Sequence, residues 1–429
     1  MIITQTPLRI GLLGGGTDLP DYYREHGGRV LNCAIDKYIY VIVKQRFDQD
    51  IYVNYSKKEI VSRVEDLEHE LVREAMWMTG VTNGVEITTL ADIPSAGGSG
   101  LGSSSAVTVG LLGGGTDLPD YYREHGGRVL NCAIDKYLYV IVKQRFDDDI
   151  YVNYSKKEIV SRVEDLEHEL VREAMWMTGV TNGVEITTLA DIPSAGGSGL
   201  GSSSAVTVGL LHALFAYRGR QVTAEELADR ACIIELDRCG KPIGKQDQYI
   251  AALGGIRDIR FGPGDQVMAE ELELPAATRR ELQRHIMLFY TGVTRSANSI
   301  LAEQTANIKA THDQLDVLRD LAGLAADRLR CGDVDALGEA MRKGWEAKRQ
   351  LATGISNPQI DTAIDRALEA GATGAKLTGA GGGGFLLVIC PAERQRAVRE
   401  SLADMAELPV KLDRLGSRIV LNVTRDIWG

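Results

Sequence analysis

The sequence predicts an α+β fold of more than one domain, and three observations support this prediction. The chain has 429 residues, a length typical of two or three domains. Near its middle, a loop rich in glycine and serine runs into a helical pattern at residues 193–217. Towards the C-terminus, strand and helix patterns alternate and close in an antiparallel manner, which indicates a second α+β domain.

The composition is that of an ordinary globular protein without a nucleic-acid or membrane partner. Apolar residues make up 44% of the chain and charged residues 25%, enough for a sizeable core. The formal net charge of -11 argues against binding to nucleic acid or to anionic membranes. Because the first residues lack the pattern of a signal peptide and the six cysteines form no CxxC pair, we expect a cytoplasmic protein with reduced thiols.

A tandem repeat dominates the first half of the chain. Residues 12–110 recur as residues 111–209, with two differences over 99 aligned positions. The differing positions are Ile39 against Leu138 and Gln49 against Asp148. Two copies of this length are unlike a solenoid, in which short units stack many times. The near identity indicates a recent or constructed duplication inside a shorter ancestral chain.

The loop at 193–205, PSAGGSGLGSSSA, has the features of an anion-binding site. Its glycines leave the backbone amides accessible, and free amides at a helix N-terminus favour a phosphate, as does the helix dipole. Ser202, Ser203 and Ser204 stand where a helix cap is expected, and an apolar stripe follows them. A flexible linker has a similar composition, but the apolar segments on both sides argue against it.

Two familiar nucleotide-binding motifs are excluded by the sequence. It contains no GxxxxGK[ST] segment and therefore no P-loop lysine. The GxGxxG match at Gly379, Gly381 and Gly384 precedes the apolar run FLLVIC, which is typical of a buried strand. Because a dinucleotide fingerprint requires a helix at that point, the sequence argues against a nicotinamide enzyme.

The two copies of the repeat have different neighbours. Copy 2 continues into the helix SSSAVTVGLLHALFAY, whereas in copy 1 the same start meets Gly113–Gly115, which should stop the helix after about two turns. Copy 1 follows the strand ITQTPLRIGLL, and copy 2 follows AVTVGLL, which places Thr108 where Arg9 stands. We expect the copy 2 loop to be the functional one. Recruitment of the Arg9 strand to the same domain, across an extruded copy 1, stays open.

Carboxylates at three places have both a functional and a simpler interpretation. Asp18, or Asp117 in copy 2, lies in a glycine-rich turn and either accepts hydrogen bonds from substrate hydroxyls or closes its own Asx-turn. Glu235 stands near the C-terminal end of a helix, where the dipole disfavours it, and is either a cation ligand or a surface carboxylate. Asp247 precedes an apolar helix and is either a catalytic base or an N-cap.

A further glycine-rich segment, KLTGAGGGGF, runs from 376 to 385 into the strand FLLVIC. Its glycines Gly381, Gly382 and Gly383 either line a cleft that faces the first loop or form a tight turn that permits close packing. Met341 and Trp345 have the spacing of one helical face, and we expect them in the core rather than against a substrate.

Three segments, TPLRIGLLGGGTD, PSAGGSGLGSSSA and KLTGAGGGGF, together resemble the GHMP family of small-molecule kinases. The resemblance covers nearly the whole chain once one repeat copy is set aside. Details such as GKQDQYIAALGG are most similar to the heptose branch of the sugar kinases, with fucokinase-like proteins as neighbours. The family implies an α+β two-domain fold with the active site in the cleft between the domains. Its N-terminal domain contains a left-handed βαβ crossover, and its C-terminal domain is ferredoxin-like.

The resemblance also implies domain boundaries. A first strand at 1–11 precedes copy 1 at 12–110. The nucleotide-binding N-terminal domain, which includes copy 2, spans 111–275, and the C-terminal domain spans 276–429.

Roles for individual residues follow from the same resemblance. Ser203 and Glu235 match the magnesium ligands, Asp247 the catalytic aspartate and Arg9 a second catalytic residue, whereas Asp18 or Asp117 matches the sugar-binding aspartate. The ATP phosphates would lie on the loop residues Gly197, Ser198, Gly199, Leu200, Gly201, Ser202, Ser203 and Ser204. Further substrate contacts would come from Lys245, Gly381, Gly382 and Gly383, with Arg24 or Arg123 as additional candidates for a phosphate already on the sugar.

The expected activity is that of a kinase that uses ATP and Mg²⁺ to phosphorylate the anomeric hydroxyl of a heptose 7-phosphate. The 1,7-bisphosphate product would serve nucleotide-heptose and surface-glycan biosynthesis. The expected partner is a small sugar phosphate, and either a monomer or a homodimer is compatible with the sequence. Alternatives are a family member acting on a fucose- or galactose-like sugar or a mevalonate-like alcohol, and a nucleotide-binding protein that the duplication has disabled.

Overall fold

The computed structural model describes residues 1–13, 20–27, 29–55, 57–91, 100–145, 147–192, 199–293 and 297–423. Copy 1 of the repeat forms a sheet of its own. Its elements are β1 (Ile2–Leu13), α1 (Pro20–His26), β2 (Leu31–Gln45), β3 (Ile51–Asn54), β4 (Lys58–Val61), α2 (Glu70–Thr79) and β5 (Val85–Ala91). The strand order is β1-β2-β5-β3-β4, with β3 and β5 parallel and the other pairs antiparallel.

Copy 2 repeats this topology inside a larger N-terminal domain. Its elements are β6 (Gly100–Leu112), α3 (Pro119–His125), β7 (Gly127–Gln144), β8 (Ile150–Asn153), β9 (Lys157–Val160), α4 (Glu169–Thr178), β10 (Val184–Ala190) and α5 (Ser202–Tyr217). The domain continues with α6 (Ala224–Cys232), a π-helical turn (Ile233–Arg238), α7 (Gln246–Leu253), β11 (Ile256–Phe261) and β12 (Val267–Glu271). The order β12-β11-β7-β10-β8-β9 runs through this sheet, and β6 pairs with the other edge of β7.

The strand β6 occupies in copy 2 the place that β1 occupies in copy 1. Thr108 of β6 pairs with Ala133 of β7, and Arg9 of β1 pairs in the same register with Ala34 of β2. The strand that carries Arg9 is therefore not recruited across copy 1 into the domain that contains copy 2. Each N-terminal strand instead pairs with the long strand that follows it directly in the chain.

One sequence adopts two secondary structures in this protein. The segment GLGSSSAVTVGLL is the strand β6 at 100–112, whereas at 199–211 the same residues form the loop end and first turns of α5. The prediction of a short helix at the end of copy 1 is thus wrong. Tertiary context overrides local propensity here, because the open edge of β7 offers a ladder of hydrogen bonds and valine and threonine suit a strand.

Copy 1 consequently lacks the helix that covers its counterpart. In copy 2, α5 packs on the sheet and on α4, where Leu170 is 5% exposed. The equivalent residue in copy 1, Leu71, is 79% exposed beside an apolar groove of 870 Å³. Copy 1 therefore retains the sheet and the helix α2 but leaves the apolar face between them partly open.

The sheets of the two copies contact each other through equivalent faces. Tyr40, Ile42 and Leu90 of copy 1 form one buried cluster with Ile141 and Leu189 of copy 2. The contacts are reciprocal, since Lys58 Nζ donates to Tyr154 O at 2.5 Å and Lys157 Nζ donates to Tyr55 O at 3.4 Å. Copy 1 is thus an added layer on the copy 2 sheet.

The C-terminal domain has a ferredoxin-like arrangement. Its elements are α8 (Ala276–His285), β13 (Ile286–Tyr290), α9 (Ala297–Asn307), α10 (His312–Arg330), α11 (Asp335–Lys348), α12 (Pro358–Glu369), β14 (Gly374–Leu377), β15 (Phe385–Ile389), α13 (Gln395–Ser401) and β16 (Ala406–Glu407). The antiparallel order β14-β15-β13-β16 is that of a split βαβ unit. A last strand, β17 (Arg418–Val423), returns to the N-terminal domain and pairs with β6. The segment 276–429, which was expected to form the C-terminal domain, therefore also contributes a strand to the N-terminal sheet.

Three of the apolar clusters among the described residues connect the copy 2 sheet, its helices and the C-terminal domain. One lies between the copy 2 sheet and α4–α6, and another joins the C-terminal domain to Leu118 and Tyr121, with Trp345 buried in it as expected. A third joins the domains, because residues of β6 and β7 pack there against α10, α11 and β15. Among the described helices, none combines the length and apolar character needed to cross a membrane.

Candidate active site

The phosphate loop enters α5 in a geometry that only glycine permits at two positions. Gly201 has a φ of +62°, and a Cβ there would lie 2.2 Å from Thr108 Oγ1. Gly199 has a φ of +72°, and a Cβ there would lie 2.6 Å from Thr378 O. The N-cap of α5 is Gly201, so Ser202, Ser203 and Ser204 form the first helical turn instead of capping it. The amides of that turn lack intrahelical partners and can bind an anion.

The described end of the phosphate loop, 199–205, meets the segment 376–385. A Cβ on Gly379 would lie 2.5 Å from Gly199 Cα, which measures how closely the two backbones approach. Gly379 and Ala380 line the cleft beside the phosphate loop. By contrast, Gly381–Gly383 pack against other backbone: Gly382 N donates to Ile355 O at 2.9 Å. The tight-turn interpretation of these three glycines fits their placement better than a substrate contact does.

Glu235 is fully buried and lies at the centre of a hydroxyl cluster. Its carboxylate accepts hydrogen bonds from Ser203 Oγ at 3.2 Å and Ser204 Oγ at 2.9 Å. It also accepts from Thr207 Oγ1 at 2.5 Å and from Gln248 Nε2 at 2.7 Å. The surface interpretation of Glu235 is therefore wrong. The π-helical turn that carries it is of a kind frequent at functional sites.

The cluster supplies oxygen atoms suited to a hard cation. All four donors to Glu235 are uncharged, so their hydrogen bonds do not neutralise the buried carboxylate. Ser203 and Glu235 present oxygen atoms side by side, and Mg²⁺ prefers oxygen ligands while keeping several waters. The residues that the resemblance assigned to magnesium are thus brought together.

Asp247 lies in the first turn of α7, at the floor of the cleft. Its Oδ1 accepts a hydrogen bond from Thr108 Oγ1 at 3.1 Å. Burial, and next the nearby Asp117 carboxylate, raise the pKa of Asp247 to about 7, although the Thr108 bond opposes this shift. A carboxylate poised near neutral pH suits a general base. Arg9, which the resemblance placed here, lies instead in the copy 1 sheet.

Asp117 is buried in the turn that connects β6 to α3, with 2% of its surface exposed. It accepts hydrogen bonds from Gly115 N at 3.0 Å and from Gln246 N at 3.2 Å. Burial raises its pKa above the ordinary range. Asp117 thus satisfies its own turn and also ties that turn to α7, and it still contributes to the cleft wall.

Lys245 and Arg123 lie in a neighbouring pocket of 630 Å³ rather than in the wall of the Asp247 cleft. Both are paired with Asp265: Arg123 binds it with two nitrogens, at 3.2 and 3.0 Å, and Lys245 Nζ lies 3.4 Å from Oδ1. Asp18, Gly197 and Ser198 lie outside the described residues, and so the structure does not place them.

The cleft itself measures 390 Å³ and lies between the two domains. It brings together the phosphate loop, Asp117 and Asp247 from the N-terminal domain with Gly379 and Lys348 from the C-terminal domain. Lys348 was not predicted, because a single lysine at the end of an amphipathic helix carries no motif. Thr207 and Gln248 were missed for the same reason, since their role depends on where Glu235 lies.

Comparison with known proteins agrees with this geometry. The GHMP kinases N terminal domain family matches residues 153–255, and the GHMP kinases C terminal family matches residues 320–407. The chain is similar to D-glycero-alpha-D-manno-heptose 7-phosphate kinase of Campylobacter jejuni, with 27% identity over 66% of this chain and 87% of that protein. It is 30% identical to mevalonate kinase of Thermococcus sibiricus over 64% of this chain and 80% of that protein.

Solved structures show the same fold. A D-glycero-D-manno-heptose 1-phosphate kinase from Bacteroides thetaiotaomicron superposes with a TM-score of 0.63 at 24% identity, covering 76% of this chain and all of that one. Lactococcus lactis galactokinase gives a TM-score of 0.61 at 18% identity, covering 76% of this chain and 95% of that one. The part left uncovered has about the length of one repeat copy. The chain therefore belongs to the GHMP kinase family, and it is a phosphotransferase with an alcohol group as acceptor.

Proposed function

We propose that this kinase transfers the γ-phosphoryl group of ATP to the anomeric hydroxyl of a heptose 7-phosphate. The observation that carries the proposal is that Asp247 lines the same cleft as the phosphate loop and Gly379. The named activity of the Campylobacter relative supports the choice of acceptor. Such an enzyme would act in the cytoplasm, where ATP and sugar phosphates are found.

In this proposal, the phosphates of ATP contact the amides at the start of α5. The helix dipole and the amides at the helix N-terminus, which have no intrahelical acceptor, favour an anion there. Ser203 and Glu235 would hold Mg²⁺, which supplies charge neutralisation for the phosphates when it is bound. Lys241 Nζ, 3.2 Å from Ser203 Oγ, adds a positive charge beside the same loop.

Asp247 acts on the acceptor. With a pKa of about 7, its carboxylate can take the proton of a sugar hydroxyl that lies against it. Thr108 fixes the orientation of the carboxylate through its 3.1 Å hydrogen bond. Asp117 holds the turn 113–117 against Gln246 and so shapes the acceptor side of the cleft.

A second candidate function is favoured by one observation. The strand beside Asp247 presents the neutral Thr108 where the family resemblance implies a basic residue. A missing cation would weaken charge stabilisation in the transition state. The chain would then bind ATP without phosphoryl transfer, and turnover measurements distinguish the two functions.

The test is an ATP-dependent assay with heptose 7-phosphate, fucose, galactose and mevalonate as acceptors. We expect turnover with heptose 7-phosphate, and loss of at least about 100-fold in Asp247→Ala. Asp365→Asn, which alters an exposed carboxylate on α12, is the matched control and should retain full activity. Turnover on another acceptor alone would contradict the heptose assignment. ATP binding without turnover on any acceptor would favour the second function.

A further inference from the structure

An inner pocket lies beneath the cleft and carries two lysines that the proposed mechanism does not use. It is lined by Gly113 and Gly114, by Asp247 and by Lys348 and Lys376. Its volume is about 40 Å³, which is room for about three water molecules. It shares Gly199, Asp247 and Lys348 with the cleft, so the two spaces adjoin.

Lys376 has no bonded partner among the described residues. No hydrogen bond or ion pair within the described part of the chain involves its Nζ, although the side chain lines the inner pocket on β14. The charged group whose field acts on it most is another cation, Lys348. Burial, and next this like charge, lower the pKa of Lys376 to about 7. Asp117 acts on Lys348, but no carboxylate is bonded to Lys376 among the described residues, and a bound anion would offset the excess positive charge of the two lysines.

Lys348 is held in place for such a role. Its Nζ donates to Gly114 O at 3.0 Å and to Gln304 Oε1 at 2.9 Å, both neutral acceptors. Burial lowers its pKa to about 8, and the charge of Asp117 opposes this shift. The ammonium is thus positioned by neutral groups and keeps most of its charge available to a ligand.

Two other cations near the cleft are already neutralised. Arg123 and Lys245, which the sequence suggested for a sugar phosphate, both bind Asp265. Recruiting them would require breaking these ion pairs. Lys376 and Lys348 require no such step, and the glycines Gly113 and Gly114 leave space for a ligand beside them.

From this arrangement we infer that Lys376 and Lys348 form an anion subsite that holds a phosphoryl group beneath Asp247. The inference rests on the proposed function for the identity of the ligand, which is either the phosphate already on the acceptor or the phosphoryl group in transfer. It assigns to Lys376 direct contact with phosphoryl oxygens, and it explains why a partly buried lysine lies there without a bonded partner among the described residues.

The first experiment does not depend on turnover. Binding of inorganic phosphate to the full chain is measured by calorimetry, with the nucleotide site saturated by Mg²⁺ and a non-hydrolysable ATP analogue. We expect Lys376→Met to weaken phosphate binding at least about tenfold and Lys376→Arg to weaken it less, because the positive charge is kept. Lys343→Met, an exposed lysine on α11, is the control and should bind as the unaltered chain does. Equal binding by Lys376→Met and the unaltered chain, or no binding by either, would overturn the inference.

Kinetics then distinguish the two sources of the phosphoryl group. If the acceptor phosphate is the ligand, Lys376→Met raises KM for heptose 7-phosphate and leaves the unphosphorylated heptose unaffected. If the transferred group is the ligand, kcat falls by the same factor with both acceptors. An unchanged kcat and KM on both acceptors would contradict the subsite. Failure of the proposed function gives a different result, namely phosphate binding at Lys376 without turnover on any sugar.

Discussion

Protonation of Asp247 should control the rate of phosphoryl transfer below neutral pH. Burial and the charge of Asp117 raise the pKa of this carboxyl to about 7, whereas an exposed aspartate has a pKa of about 3.9. A general base acts only in its deprotonated form. With this pKa, about 3% of Asp247 is ionised at pH 5.5 and about half at pH 7, so kcat/KM should rise roughly sixteenfold between them.

Two variants should move this profile in opposite directions. Asp117→Asn removes a charge that raises the pKa of Asp247, so the midpoint of the profile should move to lower pH. Thr108→Val removes a hydrogen bond that lowers the pKa, so the midpoint should move to higher pH. The assay is initial rate at constant ionic strength from pH 5 to 8, with circular dichroism as a check on folding. A flat profile between pH 5.5 and 7, or equal shifts in both variants, would refute the assignment of Asp247 as the titrating base.

Further predictions concern stability, metal binding and the repeat. The raised pKa of Asp247 stabilises the fold at low pH, and this contribution is lost as pH rises from about 4 to 7. At pH 8, Asp247→Asn should therefore be more stable than the unaltered chain by up to about 4 kcal/mol in urea unfolding. Leu170→Ala should cost about 2–5 kcal/mol, whereas the matched Leu71→Ala should change stability by less than about 0.5 kcal/mol; equal losses would contradict the open face of copy 1. Glu235→Gln should raise the Mg²⁺ concentration needed for half-maximal activity at least about tenfold, and an unchanged requirement would place the metal elsewhere. Deletion of residues 12–110 should bring Arg9 beside Asp247 in place of Thr108 and increase kcat. An unchanged kcat would show that Thr108 suffices for catalysis in the full chain.

Much of the site could be predicted from sequence because its parts lie in short motifs. The loop before α5 and its glycines follow from local backbone requirements, although the helix begins at Ser202 and not after the serines that were expected to cap it. The pairing of Ser203 with Glu235 followed from the family resemblance, and the structure places them 3.2 Å apart. The uncharged character of the Glu235 partners could not be predicted, because they come from α5 and α7, which meet only in the folded domain.

The remaining errors arise where one local sequence has two possible environments. Glycines in the segment 376–385 all look suited to a cleft, and only the folded structure shows that Gly381 and Gly383 approach the backbone of Ile355 and Val293. Lys376 lies in the same segment, but a lysine before a glycine turn is usually a solvated side chain. Its unpaired position is a tertiary property, since it depends on where α11 places Lys348.

The competition between the two N-terminal strands explains why the functional domain contains Thr108 instead of Arg9. Both β1 and β6 fit the edge of a long strand in the same register, so local sequence does not choose between them. The connection from β6 to β7 spans 14 residues, whereas a connection from β1 to β7 would contain all of copy 1. An eightfold longer loop costs about 2 kcal/mol in closure entropy. A charge-assisted hydrogen bond between Arg9 and Asp247 would return about the same amount, and the expulsion of β6 would leave its own ladder unmade. Chain connectivity therefore favours β6, and the repeat changes the chemistry of the active site by changing which strand lies beside its base.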